Sequence, residues 1–600
     1  MTLIKNTDLN KKAPSADTWF LWLSIVGIII NATGLFLPIL EPDGALYATI
    51  SKTMALNGDY VNLYVEGSDW LDKPHFPFWI TAFSFKLFGI SSFAYKFPGL
   101  LFWLAGAFYT YAFANKLYNK QTAQWAMLIY LSVEHLILSN NDVRAEPYLT
   151  GLMIGAAYHY YLAYRNNKWK HYIVGSLLLA FAIMTKGIFI ACMLMAGFVI
   201  HWIIQKEWKQ FLNYRWWVSM ILVLVFIMPE LITLYLQFDK HPEKLVFGQH
   251  NVSGIRFFFW DSQFGRFFNT GPIKGSGDKL FYVHTLIWAF LPWSIILFVL
   301  VGSYLKNYKT TLTPSGNYIC SGISIAGFLV FSISRFQLPH YLNILYPFFA
   351  IIVAHWLLNL KNKTLLKTVT HSQNILFYLL FVACVGLIFF AGLPYKIPAI
   401  VLLAVLAFAI NRFFPGDALQ HLIARSFGVI MVVNLFLNAL FYPELFHYQS
   451  GSEAASFLNT TKPDEAYMFN MVSSEYSFQF YYKGELKWID RQYLDTMQKE
   501  IVVYTSRKMI DSLKNMNYFV HITLELPHFH ISQVTGKFLN EVTREKAIEH
   551  YVIATIRPGM LTMHQTPGPL TNTAAPFFAS GMGDVLPRPT QTGNGRFFYR

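Results

Sequence analysis

Along this chain apolar residues gather into runs close to the length a helix needs to cross a bilayer core, about 20 residues. The runs fall at roughly 19–40, 97–115, 121–139, 147–164, 172–189, 189–204, 216–236, 280–303, 317–333, 340–358, 373–391, 395–412 and 424–442, about thirteen in all. If the tail bearing Lys5, Lys11 and Lys12 is cytoplasmic, alternate links carry Lys116 and Lys120, then Arg165, Lys168 and Lys170, then Lys206, Lys209 and Arg215. The next three on that side carry Lys306 and Lys309, then Lys361, Lys363 and Lys367, then Arg412 and Arg425. Every inner link is then basic, as the positive-inside rule requires. The first run is full length and lacks a small-residue cleavage site, so it reads as an uncleaved span behind a cytoplasmic tail, 1–18.

This topology sends residues 41–96, 237–279 and everything beyond 442 to the outer side. In the first loop Pro42-Asp43-Gly44 is a helix start, Leu46, Ile50 and Met54 recur at four-residue spacing, and Asn57-Gly58 is a stop. That pattern predicts a short amphipathic helix lying along the interface. Asp72-Lys73-Pro74 then leads into an aromatic re-entry, Phe76-Pro77-Phe78-Trp79. Residues 443–556 change character: Ser477–Tyr482 and Glu500–Thr505 read as strands, Arg507–Met516 and Leu539–His550 as helices. The fold expected is an α-helical polytopic membrane domain over 19–442 with a small soluble α/β domain at 443–556. The remainder, 557–600, is Pro, Gly, Thr and Ala rich without periodicity and is expected to be disordered.

Composition agrees with a membrane solvent, because 54% of residues are hydrophobic and 13% charged, where soluble chains carry about a quarter charged. The net charge of +14 is spread over the links and forms no single basic stripe, which points to lipid headgroups and argues against a nucleic-acid partner. Cys192, Cys320 and Cys384 lie in or beside apolar runs without metal-type spacing, so neither a disulfide framework nor a thiol catalyst is indicated.

Charges at the ends of spans are costly and carry functional hypotheses. On the outer side these are Glu41, Asp43, Asp72 and Lys73 in the first loop, Arg144 and Glu146 after the third run, and Lys186 ending the fifth. The second loop adds His250, Arg256 and Arg266 among phenylalanines, and Arg335 follows the ninth run. Singly, each has a plain alternative: Asp43 as a helix cap, Lys73 snorkelling to headgroups, Arg144 with Glu146 as an ion pair, His250 as a surface residue. Together they put cations and carboxylates from separate links on one membrane face, which suits a phosphate-bearing lipid. A transporter or flippase is the rival class, but transporters show paired halves and broken midplane helices, whereas these charges sit in outer loops.

At the same residues the chain resembles the GT-C superfamily of polyprenyl-phosphate-dependent glycosyltransferases, most closely the bacterial aminoarabinose transferases that modify lipid A, with the protein O-mannosyltransferases beside them. The motifs are Glu41-Pro42-Asp43-Gly44-Ala45-Leu46-Tyr47-Ala48, Asn57-Gly58-Asp59-Tyr60, Asp72-Lys73-Pro74, Ala145-Glu146-Pro147 and Met184-Thr185-Lys186-Gly187. Further along come Gln249-His250 with Arg256-Phe257, then Leu291-Pro292-Trp293, then Arg335 to Tyr341. The likeness runs over about residues 19–360 in consistent order, with Asp at 72, Glu at 146 and Gln at 337 where the family pattern has Glu, Asp and Lys.

The resemblance implies an inverting transfer of a sugar, an aminoarabinose-like pentose among the candidates, from undecaprenyl phosphate to lipid A or another cell-envelope acceptor. It implies a bacterial inner-membrane protein with catalytic loops and C-terminal domain in the periplasm; a protein acceptor served by the same donor is the alternative. Carried over, Asp43 matches the catalytic carboxylate, and Lys73 and Arg256 match donor-phosphate ligands with Lys186 and Arg335 as weaker ones. Glu41, Arg144 and Glu146 would line the site, and Asp72 with His250 match positions associated with a divalent metal, zinc or magnesium.

Overall fold

The computed structural model describes residues 16–306, 316–412, 417–463, 465–469 and 475–557. The expectations for the tail through residue 15, for Lys309 and for 558–600 fall outside them.

Among the described residues six helical stretches are long and apolar enough to cross a bilayer: Asp17–Phe36, Ser92–Leu117, Tyr214–Asp239, Pro339–Leu358, Lys363–Phe390 and Ala418–Phe446. Phe76–Phe88, Phe189–Ile204, Ser294–Lys306 and Ile319–Ile333 are shorter apolar helices. Trp217, Met220 and Leu224, with Tyr378, Leu379 and Val382, are each more than half exposed. Such a face is stable only against lipid tails, where apolar surface is not presented to water.

The first half of the chain builds α1 (Ala16–Thr33), α2 (Asp43–Asn57), α3 (Phe76–Phe88), α4 (Ser92–Leu117), α5 (Lys120–Leu131), α6 (Glu134–Asn141), α7 (Glu146–Asn166), α8 (Trp169–Lys186), α9 (Phe189–Ile204) and α10 (Tyr214–Phe226). Helix α7 is buried along most of its length and packs against α4 and α8. Gly151 permits this: a Cβ there would stand 2.1 Å from the Phe102 carbonyl oxygen, so only glycine lets the backbones approach this closely.

Two expected spans are broken. The run at 121–139 divides at Ser132-Val133 between α5 and α6, and the run at 280–303 divides into Phe281–Ala289 and Ser294–Lys306. The second break holds Pro292, which cannot donate to a helical ladder. The breaks satisfy each other: Glu134 N–H donates to the Leu291 carbonyl (3.0 Å), Trp293 Nε1 to Ser132 Oγ (3.0 Å), and Gln373 Nε2 to the Pro292 carbonyl (2.8 Å). Non-helical backbone at this depth is tolerable because protein partners replace water.

Helix α2 forms where expected and stops at Gly58, whose φ is 69°. It is, however, no half-exposed surface helix, since Ala45, Tyr47, Ala48, Ile50, Ser51 and Met54 are all buried. Its outer cover is the C-terminal part of the chain. Beyond the short antiparallel hairpin of the first loop, β1 (Tyr64–Val65) and β2 (Ser68–Asp69), the C-terminal strands β3 (Glu465–Phe469), β4 (Glu485–Ile489), β5 (Ile501–Ser506), β6 (Phe519–His528) and β7 (Glu549–Arg557) form a mixed sheet in the order β4-β3-β5-β7-β6. Strand β3 runs parallel to β4 and β5, and β7 lies antiparallel between β5 and β6.

Two readings of this region change. Tyr476–Tyr481 is a helix and no strand; its alternating aromatics serve two cores, Phe478 that of the sheet and Phe480 that of the membrane bundle. The expected helix at 539–550 is replaced by short turns and the start of β7, because Glu549 and His550 pair with His528 and Pro527 of β6. Sheet pairing overrides the local pattern there.

Candidate active site

At one end of the apolar helices, charged side chains from separate segments meet. Asp43, the first residue of α2, accepts a hydrogen bond from Arg144 Nη1 at 2.6 Å. Arg144 also donates from Nε to Asp142 Oδ2 at 2.9 Å. One guanidinium therefore sits between two carboxylates, with side chains 15% exposed for Arg144 and 25% for Asp43. Beside them Glu146 forms an ion pair with Lys186, its carboxylate lies 3.7 Å from His340 Nε2, and Lys186 Nζ stands 3.8 Å over the Tyr341 ring.

The second part of the cluster is cationic. Asp72 is held between Lys73 and Arg266. Burial pushes the Asp72 carboxyl up, but Arg266 and Lys73 outweigh it and hold it at about 2. Two cations share this one carboxylate, so the group keeps an excess of positive charge. Among the described residues Arg266 Nε is buried without a hydrogen-bond partner, a donor that proteins rarely leave unused. The buried hydroxyl of Tyr47 lies within electrostatic reach of Asp43, Asp72, Arg144 and Glu146, and Lys186 within that of Lys73 and Arg266, so the two parts form one partly exposed charged cluster, the candidate cleft.

Anchors outside the cleft fix its members. Lys96 Nζ donates to the carbonyls of Gly34, Leu37 and Pro38 at 3.0, 3.0 and 3.1 Å, tying down the approach to Asp43. His75, next but one after Lys73, is buried against Glu230 with Nδ1 2.9 Å from Oε1. Lys186 is turned into the cleft by Gly187, whose φ is 118° and whose Cβ, were there one, would lie 2.2 Å from the Gln263 amide; only glycine suits both conditions.

Of the ten residues given a role from the sequence, six meet here: Asp43, Asp72, Lys73, Arg144, Glu146 and Lys186. Four do not. Arg256 is 73% exposed with Nε 3.6 Å from Asp261, because its turn faces outward. Arg335 is exposed. Glu41 turns away from the cleft and accepts from Ser477 N–H beneath the C-terminal sheet. His250 is exposed with Nδ1 on the Glu243 carbonyl at 2.9 Å. The metal assignment to Asp72 and His250 finds no matching donor set: the Asp72 oxygens are taken by Lys73 and Arg266, and no group of three or more His, Cys, Asp or Glu suited to a metal occurs among the described residues.

Residues 72–232 match the family model described as dolichyl-phosphate-mannose-protein mannosyltransferase. The chain is 26% identical over 329 residues to the undecaprenyl phosphate-alpha-4-amino-4-deoxy-L-arabinose arabinosyl transferase of Edwardsiella ictaluri, covering 54% of this chain and 56% of that protein. The same enzyme of Serratia proteamaculans is 27% identical over 308 residues, 50% of this chain and 52% of that one; the chain thus spans about half the length of the curated relatives it matches. The crystal structure of ArnT from Cupriavidus metallidurans bound to undecaprenyl phosphate superposes with a TM-score of 0.69 at 16% identity, over 90% of this chain and 98% of that one.

The chain has an ArnT-like fold. Within it the sequence reading missed Asp142, His340 and Tyr341 as members of the cleft, and it gave the donor-phosphate role to Arg256 where Arg266 is the one that turns inward. Arg266 was within sight, for Arg256-Phe257-Phe258 and Arg266-Phe267-Phe268 are the same tripeptide, and the motif alone does not say which arginine turns inward.

Proposed function

We propose that this protein is an inverting glycosyltransferase that moves a sugar, an aminoarabinose-like pentose, from undecaprenyl phosphate to lipid A or another envelope acceptor. In this reading about thirteen spans cross the bacterial inner membrane, with the cleft and the C-terminal α/β unit, residues 443–556, on the periplasmic side. The observation that carries it is the pairing of a cation-rich pocket, Lys73 and Arg266 on Asp72, with the carboxylate of Asp43 in one cleft.

The leaving group is a lipid phosphate, so negative charge grows on the phosphate oxygen as the bond to the anomeric carbon breaks. Lys73 and Arg266 meet that charge, and preorganised donors are the largest aid to such a step. Lys186 stands in electrostatic reach of both cations and adds to the positive field. Asp43 removes the proton of an acceptor hydroxyl as the acceptor oxygen attacks from the opposite face of the sugar, which inverts the centre. For a phosphate acceptor, already anionic, Asp43 orients it through Arg144 and stabilises positive character on the sugar. Arg144, bonded to both Asp43 and Asp142, holds the base in line.

The test is incubation of the purified protein with a panel of synthetic polyprenyl-phosphate sugars, measuring released polyprenyl phosphate with Asp43→Asn as control. Release from none of them, or equal release by the variant, would defeat the proposal. A protein acceptor is the second reading, favoured by the family match over 72–232; mass spectrometry of lipids and glycoproteins from a deletion strain separates the two.

A further inference from the structure

The face of the bundle opposite the Asp43 cleft carries a second set of cations that the transfer reaction does not use. Helix α7 starts at Glu146 in the cleft and ends at Asn166, so at 1.5 Å per residue its ends lie about 30 Å apart, one hydrocarbon thickness. Arg165 occupies the last turn of α7. Helix α9 starts just beyond Lys186 and, past its end at Ile204, delivers Lys206 and Lys209 to the same place. The three cations line a hollow of about 600 Å³, together with Tyr164, Glu207 and Trp208.

The charge balance and backbone of this hollow suit it to an anion. Arg165, Lys206 and Lys209 are exposed and form no ion pair among the described residues. Glu207, the carboxylate on the wall, is engaged by the Tyr164 hydroxyl at 2.6 Å, which lowers its claim on the cations. Lys206 takes a left-handed backbone, φ 58°, a conformation that costs a non-glycine residue energy. The surroundings are those of a headgroup boundary: Trp208 and Leu212 are 59% and 85% exposed, and Tyr214 and Trp217 are each 60% exposed. Aromatic rings and cations side by side at the end of apolar helices mark the interfacial layer.

We propose that this hollow binds the phosphodiester headgroup of an anionic phospholipid in the leaflet opposite the cleft. Arg165, Lys206 and Lys209 hold the phosphate, while Trp208 and Leu212 meet the upper acyl chains. A free phosphate shares the charge chemistry but has no use for the outward apolar fringe, so the lipid is the occupant.

The test is native mass spectrometry of the full-length protein in detergent, titrated with phosphatidylglycerol and, separately, phosphatidylcholine of the same acyl chains. Since each Lys or Arg near an anionic surface contributes a factor of about five, the first phosphatidylglycerol should bind at least about ten-fold more tightly. R165Q/K206Q/K209Q should abolish the preference, and K361Q/K363Q/K367Q, exposed cations elsewhere on the same face, should keep it. Should the first triple variant fail to fold, K209Q alone should lower the preference about five-fold. Equal affinity for the two lipids, or a preference that survives R165Q/K206Q/K209Q, overturns the proposal. So does displacement of phosphatidylglycerol by millimolar inorganic phosphate, which would reassign the hollow to a free anion.

Discussion

Asp43 and Arg266 are the residues on which the chemistry turns. Asp43→Asn keeps the shape of the side chain and its contact with Arg144 but removes the charge and the basicity. Transfer in proteoliposomes should fall on the order of 10³-fold, in the range of a lost general base, with the thermal unfolding temperature unchanged. Arg266 and Arg256 allow a sharper comparison because each heads the same Arg-Phe-Phe tripeptide. Removing Arg266 leaves Asp72 with Lys73 alone and takes away a buried guanidinium, so Arg266→Ala should lower kcat/KM for the donor about 100-fold, as expected for one partner of a buried charge pair. Arg256→Ala touches a side chain 73% exposed and should stay within about two-fold, since exposed ion pairs contribute little. A reversed pair of results, measured on a synthetic lipid-linked sugar, would return the phosphate role to Arg256.

Helix α2 is the element that decides whether Asp43 is in place, and it is gripped from above. Lys52 Nζ donates to the carbonyls of Gln479, Phe480 and Tyr482 at 2.8, 2.9 and 2.6 Å, closing the end of the Tyr476–Tyr481 helix, where a cation is favoured by the unsatisfied carbonyls. Thr49 Oγ1 reaches the Tyr476 carbonyl at 3.2 Å and Tyr481 OH accepts from Ile39 N–H at 2.8 Å. Lys52→Met should therefore cost about 1–3 kcal/mol of stability, the range for bonds to a charged group, and lower kcat more than it raises KM. A change confined to KM would mean that the C-terminal helix does not position α2. This grip was not legible in the sequence, for it joins residues more than 400 positions apart. The helices themselves were legible, since run length and flanking charge report on bilayer thickness and not on partners. The breaks at Ser132 and Pro292 were hidden because the residues around them remain apolar enough to read as continuous runs, and only their mutual hydrogen bonds distinguish them. For the same reason Asp43, Lys73 and Lys186 could be found by charge at a span end, while Asp142 and His340 could not be ranked without their neighbours.

At the scale of the whole molecule the membrane bundle and the C-terminal sheet are joined through a buried acid. Glu41 lies two residues before Asp43, accepts from Ser477 N–H, and its own N–H donates to Gln449 Oε1 at 3.0 Å. Gln449 in turn donates to the Ile39 carbonyl at 2.8 Å. Burial, and then the Glu475 carboxyl beside it, raise Glu41 from the usual 4.5 to about 8, against the opposing pull of Ser477. His528 and His530 face the same acid from the sheet, and burial holds both of them below the usual histidine range, so neither offers a ready counter-charge. The folded protein thus keeps a proton on Glu41 that the unfolded chain releases near 4.5. By linkage the resulting stabilisation is complete below about pH 4.5, declines as pH rises and is gone above about pH 8. The unfolding temperature of the wild type in detergent should fall between pH 6 and pH 9, and transfer activity should fall with it as the junction above α2 loosens. Glu41→Gln keeps a neutral side chain at every pH and should flatten both profiles while leaving activity at pH 6 within about two-fold, as for a substitution that makes no new charge. Parallel profiles for the wild type and Glu41→Gln would show that some other group governs the coupling between the two parts of the chain.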